Sequence, residues 1–86
     1  MAKGVDTASD AGQRERPLTV AQVRAHPTRA DVMFFETARI YRLLRTNPAY
    51  ESALRLLRGA AAAGTPVRVR FVEAHGEVIE AVRADK

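Results

Sequence analysis

The chain has 86 residues, 47% of them hydrophobic and 28% charged, which is enough for one ordinary domain and too few for two. It has no cysteine, so disulfides, thiolate zinc sites and cysteine nucleophiles are all excluded. The net charge is +4, concentrated in the middle of the chain: residues 39–70 carry seven arginines against Glu51 alone, while residues 71–86 are acidic overall.

A domain this short buries only about 60% of the surface its unfolded chain exposes, and such domains often lean on disulfides, metals or oligomerisation. With cysteine absent, oligomerisation is the most open support. No apolar run approaches the roughly 18 residues of a membrane span. The N-terminal residues lack the apolar core of a secretory leader. Together these features suit a cytoplasmic protein without a membrane partner.

Residues 1–16 are small, polar and mixed in charge, and read as a disordered tail, with Pro17 opening a single domain that runs over 17–86. Thr19-Val20-Ala21-Gln22 has the form of a capping box, which predicts a short helix from Thr19 to about Ala25. His26 precedes Pro27 and would end it.

Val32 to Leu44 is apolar but ambiguous in period. Its Phe-Phe and Ile-Tyr pairs favour a strand. As one continuous strand it would put Met33, Phe35, Tyr41 and Leu43 on one face, and Phe34, Ala38, Ile40 and Leu44 on the other. Asn47 and Pro48 then announce a helix over 48–63. Tyr50, Leu54, Leu57 and Ala61 form its apolar stripe. Gly64 offers a left-handed cap, and Pro66 forbids continuation. Gly59, inside that helix, is expected to allow close packing.

Two further β-rich runs follow, Val67–Glu73 and Glu77–Arg83, joined by Ala74-His75-Gly76 in the manner of a three-residue hairpin loop. The implied register sets Phe71 opposite Ile79, Val69 opposite Ala81, Val72 opposite Val78 and Arg70 opposite Glu80. The expected fold is therefore α+β: a short N-terminal helix, then β-α-β-β, with one main helix on a three-stranded sheet. Reading 32–44 as a helix gives the alternative, three helices plus a β-hairpin in winged-helix order.

Catalytic chemistry finds little purchase. Gly59-Ala-Ala-Ala-Ala-Gly64-Thr65-Pro66 imitates a phosphate-binding loop, but it lacks the lysine and ends a helix instead of opening one. Glu73, His75 and Glu77 share a turn that offers a metal no supporting shell. Ser9 and Ser52 have no base nearby in sequence. The expectation is a protein that is not an enzyme, with no metal, cofactor or small-molecule substrate.

Two binding signals remain. One crossover helix covers one face of a small sheet, so Val72 and Val78, with Arg70 and Glu80 beside them, need another cover. That predicts a protein–protein interaction module, self-associating through an open sheet face or edge, with Arg68, Arg70, Val72, Val78, Glu80 and Tyr41 as partner-binding residues. The competing expectation is nucleic-acid binding through Arg39, Arg42, Arg45, Arg55 and Arg58, whose guanidinium groups suit phosphate. An inhibitor or adaptor acting on another protein is a third possibility.

Overall fold

The computed structural model describes residues 15–85. Five strands and one helix follow in the order β1 (Glu15–Ala25), β2 (Arg29–Phe34), β3 (Ile40–Leu44), α1 (Tyr50–Ala63), β4 (Pro66–Phe71) and β5 (Ile79–Ala84). The strands form one antiparallel sheet in the order β3-β2-β1-β4-β5. The α+β class stands, but the three-stranded sheet is corrected to five strands, and the winged-helix alternative is overturned because 32–44 holds no helix.

β1 is where the expectation and the fold diverge most. Thr19–Ala25, expected as a helix, is strand. Leu18 and Val20 alternate into the core, and the β-branched Thr19, Val20 and Val23 suit a pleated surface. The first half of β1 pairs with β4, from Glu15 opposite Arg70 to Thr19 opposite Pro66. The second half pairs with β2, from Val20 opposite Phe34 to Ala25 opposite Ala30. Between Val20 and Gln22 the register slips by one residue, at Ala21, and such a bulge bends its strand and increases the twist. Glu15 and Arg16, assigned to the tail by sequence, lie in β1, so the paired region begins ahead of Pro17; residues 1–14 of that tail lie outside the described residues.

The bend curls the sheet until its two edges meet. Arg42 N–H in β3 donates to the Glu77 carbonyl at 2.7 Å, and Arg42 forms a parallel bridge with Val78. A β1-β2-β3 meander, a helix between β3 and β4, and a β3–β5 contact closing the ring give the connectivity of a partly open Greek-key barrel of the OB type.

The segment expected as one strand is thus two, with a turn over 35–39. The turn resets the alternation, so Phe34, Tyr41 and Leu43 all face inward while Ile40 and Leu44 face out. Inside, the Tyr41 ring lies 5.5 Å from Phe34 and 4.9 Å from Phe71, centroid to centroid. Ala30, Val32, Val67, Val69, Ile79 and Leu57 complete the packing around them.

α1 covers one opening of the ring through Tyr50, Ala53, Leu57 and Ala60, with Leu54 and Ala61 of the predicted stripe partly buried. Its first turn begins two residues later than expected. The N-cap is Ala49 and not Asn47, whose Oδ1 instead closes an Asx turn ahead of the helix by accepting from Ala49 N–H at 2.9 Å. At the other end Gly64 adopts the left-handed conformation, φ 73°, and its N–H donates to the Ala60 carbonyl, as expected of that glycine. The β4–β5 hairpin forms with Phe71 opposite Ile79 as expected, but its strands end at Phe71 and resume at Ile79, so the connection is longer than the three-residue loop expected. A second bulge at Glu80 then shifts the remaining pairs, so Val69 faces Val82 and not Ala81.

Close packing does not explain Gly59: a Cβ built there meets nothing within 4 Å. The two helix glycines should therefore respond oppositely to alanine. Gly59→Ala should raise unfolding free energy by up to about 1 kcal/mol through helix propensity. Gly64→Ala should lower it by about 1–2 kcal/mol, the usual cost of a left-handed backbone for a residue with a Cβ. Thermal or urea unfolding of the two variants measures both signs.

Candidate functional site

The closure of the ring creates a groove on the outer surface. Where β3 gives way to α1, Leu44, Thr46, Asn47, Pro48 and Ala49 form one wall, and Arg70, Val72, Val78, Glu80 and Ala81 of the β4–β5 hairpin form the other. The space between is about 510 Å³. It continues past the hairpin tip into a second hollow of about 400 Å³, which shares Leu44, Val72 and Val78 and adds Glu73, Gly76 and Glu77.

The chain places these residues for local reasons. Val72 and Val78 lie at the loop end of the hairpin, where Val72 N–H donates to the Val78 carbonyl at 3.0 Å. Outward residues of a strand alternate with core residues, so Arg70 and Val72 flank the buried Phe71, and Val78 and Glu80 flank the buried Ile79. Leu44 alternates outward from the buried Leu43. The Asn47 side chain, tied to Ala49 N–H, donates through Nδ2 to the Glu80 carbonyl at 2.9 Å and so fixes the width of the groove. Val72 is 48% exposed and Leu44 37%, a high degree of exposure for aliphatic side chains that lie side by side.

Ion pairs stand at the two ends. Arg70 Nε lies 3.9 Å from Glu80 Oε1 at one. At the other, Glu77 takes both Arg39 at 3.8 Å and Arg42 at 3.7 Å, and Arg39 Nη1 also donates to the His75 carbonyl at 3.0 Å. All are exposed pairs, worth little to stability individually.

Four of the six residues expected to bind a partner, Arg70, Val72, Val78 and Glu80, come together here. Arg68 does not join them: its guanidinium is held by Asp85 at 3.2 Å. Tyr41 is 1% exposed, inside the ring, with its hydroxyl accepting from Arg16 Nη2 at 3.2 Å. It is a core residue, because the turn at 35–39 reverses which face it shares. Leu44 belongs to the groove and sequence reasoning missed it, since only the meeting of β3 and β5 brings it there.

The five arginines expected for nucleic acid are divided between the β3 region, with Arg39, Arg42 and Arg45, and α1, with Arg55 and Arg58. Arg39 and Arg42 are engaged with Glu77, the Arg45 guanidinium sits 5.6 Å above the Tyr50 ring, and Arg55 and Arg58 project from α1. On the outer face of β2 and β3, where OB-type barrels carry their ligands, Asp31 neutralises Arg29 at 2.9 Å. Elsewhere the chemistry is sparse. His26 Nε2 lies 3.1 Å from Asp31 Oδ2 without the alignment of a hydrogen bond. Among the described residues no group of three or more His, Asp or Glu side chains is placed to hold a metal. Among those residues, too, no helix is long and apolar enough to cross a membrane.

No protein-family model and no curated protein matches the sequence. Solved structures do match the fold. The crystal structure of pro-protein-glutaminase aligns with a TM-score of 0.72 at 20% identity, and that of a mutant of the same protein with 0.70 at 18%. Each alignment covers 81% of this chain and 24% of the other, so the chain spans about a quarter of the enzyme precursor it resembles.

Three carboxylates outside the groove, Glu15, Asp31 and Glu36, have pKa values lowered in the fold. Glu15 receives both Nε and Nη2 of Arg83, at 3.0 and 3.3 Å, and that hydrogen bonding holds its pKa below the usual value. The Arg29 hydrogen bond does the same for Asp31. A carboxylate whose pKa is depressed by folding contributes stability that is present above its unfolded pKa and is lost as pH falls through the folded one. Melting temperature should therefore hold steady down to about pH 5 and fall below that. Glu15→Gln should flatten part of the acid limb, and scanning calorimetry from neutral to acid pH of wild type and variant checks it.

Proposed function

We propose that the chain is a non-catalytic protein-binding module that docks another polypeptide in the groove between the β4–β5 hairpin and the β3–α1 connection. One observation carries the reading: aliphatic side chains from two distant parts of the chain, Leu44 against Val72 and Val78, meet in an open hollow whose ends are charged. Protein interfaces have this anatomy, an apolar centre that can be desolvated and a polar rim. Reactive sites need a convergent set of titratable or nucleophilic groups in a pocket, and here Arg70, Glu77 and Glu80 are held in ion pairs at the margin of the hollow.

The likeness to pro-protein-glutaminase, at 20% identity and over 24% of that chain, is one of fold, and the reading rests on the groove. Docking on another protein as an adaptor or inhibitor fits a module of this size. Nucleic acid is the weaker ligand, because the outward arginines of β3 already have a carboxylate partner and those of α1 lie apart from them.

The test is selection of a random phage-displayed peptide library against the full chain. Sequences enriched on the wild type should lose at least about tenfold in binding to Val78→Asp and Leu44→Asp, since a buried unpaired charge costs more than the roughly 1.4 kcal/mol of a tenfold change. Enrichment that is absent, or equal on wild type and variants, would overturn the reading.

A further inference from the structure

The groove's charges have an order along its length, and that order points to its occupant. At one end stand Arg70 and Glu80. Val72, Val78 and Leu44 occupy the middle. At the other end Glu77 stands with Arg39 and Arg42. Counting Glu73 on the wall beside Glu77, three arginines face three glutamates, so this patch is balanced within a chain of net charge +4.

A balanced patch offers no net attraction to a partner dominated by one sign. A nucleic acid or an acidic peptide would face Glu73, Glu77 and Glu80 across the groove, and a basic peptide would face the arginines. A partner that fits must offer an apolar centre with an arginine and a carboxylate at both ends. The same patch, turned end over end by a two-fold axis through the valines, has that arrangement. Arg70 of one copy then meets Glu77 of the other, and Glu80 meets Arg42 and Arg39, twice over by symmetry.

We infer that the groove is the contact of a two-fold homodimer, in which a second copy of the chain lays Leu44, Val72 and Val78 against the first and exchanges the end charges. The inference rests on the docking reading above and names its partner. The two Arg70–Glu77 contacts steer the register, because sliding or rotating one copy sets like charges opposite each other.

Sedimentation equilibrium of the full chain over a concentration series tests it. The wild type should show a concentration-dependent monomer–dimer equilibrium. Arg70→Glu alone and Glu77→Arg alone should each raise the dissociation constant by about tenfold or more, since each sets like charges face to face at both ends of the dimer. Mixed in equal amounts, the two variants should recover wild-type affinity as a heterodimer, because every end contact is again of opposite sign. Glu77→Arg also removes the intrachain partner of Arg39 and Arg42, so circular dichroism melts accompany it. Should it unfold, the doubly substituted R70E/E80R chain keeps its own pair in reversed order and must still lose dimerisation.

A chain monomeric throughout, a dimer indifferent to these substitutions, or a mixture that fails to recover would each overturn the inference. The docking reading is separable from it: a monomer that still enriches groove-dependent peptides loses only the homodimer, and a monomer that enriches none loses both.

Discussion

The structure depends on β1 serving two partners. An 11-residue strand pairs with β4 over its first half and with β2 over its second, and the bulge at Ala21 turns it from one to the other. Without that turn the five strands would lie as an open sheet, whose two edges would have to be guarded separately. With it, β3 and β5 approach and share the Arg42–Glu77 hydrogen bond. The closure engages the two edges at one point, Arg42 with Glu77 and Val78 just ahead of β5, and the groove lies beside that seam.

Closure also decides what the interior must contain. A ring of five short strands encloses a narrow space, and three aromatic rings from β2, β3 and β4 fill much of it, with Tyr41 between the other two. Burial of each such side chain is worth about 1.5–3 kcal/mol. A buried tyrosine hydroxyl needs a partner, and it finds Arg16, whose guanidinium also lies 5.5 Å from the centre of the Phe71 ring. Arg16 therefore ties the start of β1 to Tyr41 and Phe71, and the first residues of β1 are structural although their composition resembles a polar tail.

How much of this could be read in advance follows from how local each signal is. The helix and the hairpin were legible because their determinants lie within a few residues: Asn47, Pro48 and Gly64 for one, and the alternation around Ala74-His75-Gly76 for the other. Strand β1 was not, because Thr19 and Gln22 satisfy a capping pattern while the pairing that makes them strand comes from Pro66 of β4 for Thr19 and from Met33 of β2 for Gln22. The turn at 35–39 contains no glycine, proline or asparagine, so nothing in Phe-Glu-Thr-Ala-Arg marked where one strand ends and the next begins. It is held by tertiary contacts instead, Glu36 Oε1 accepting from Thr19 N–H and the Thr37 hydroxyl accepting from Tyr41. That hidden turn is what carried Tyr41 from an imagined surface into the core.

The candidate groove divides along the same line. Arg70, Val72, Val78 and Glu80 follow from hairpin alternation, and a bulge at Glu80 leaves them on one surface because it acts beyond Val78. Leu44 depends on the approach of β3 to β5, and so does the placement of Glu77 beside Arg39 and Arg42. The arginine-rich middle of the sequence looks like a binding signal only while its carboxylates are assumed to be elsewhere. Once the ring closes, the acidic C-terminal stretch pairs with part of the basic middle, Arg39 and Arg42 with Glu77, Arg68 with Asp85 and Arg70 with Glu80. Of the large apolar side chains left exposed, Phe35 and Ile40 lie outside the groove lining while Leu44 and Val72 share it with Val78, and that convergence carries the functional reading.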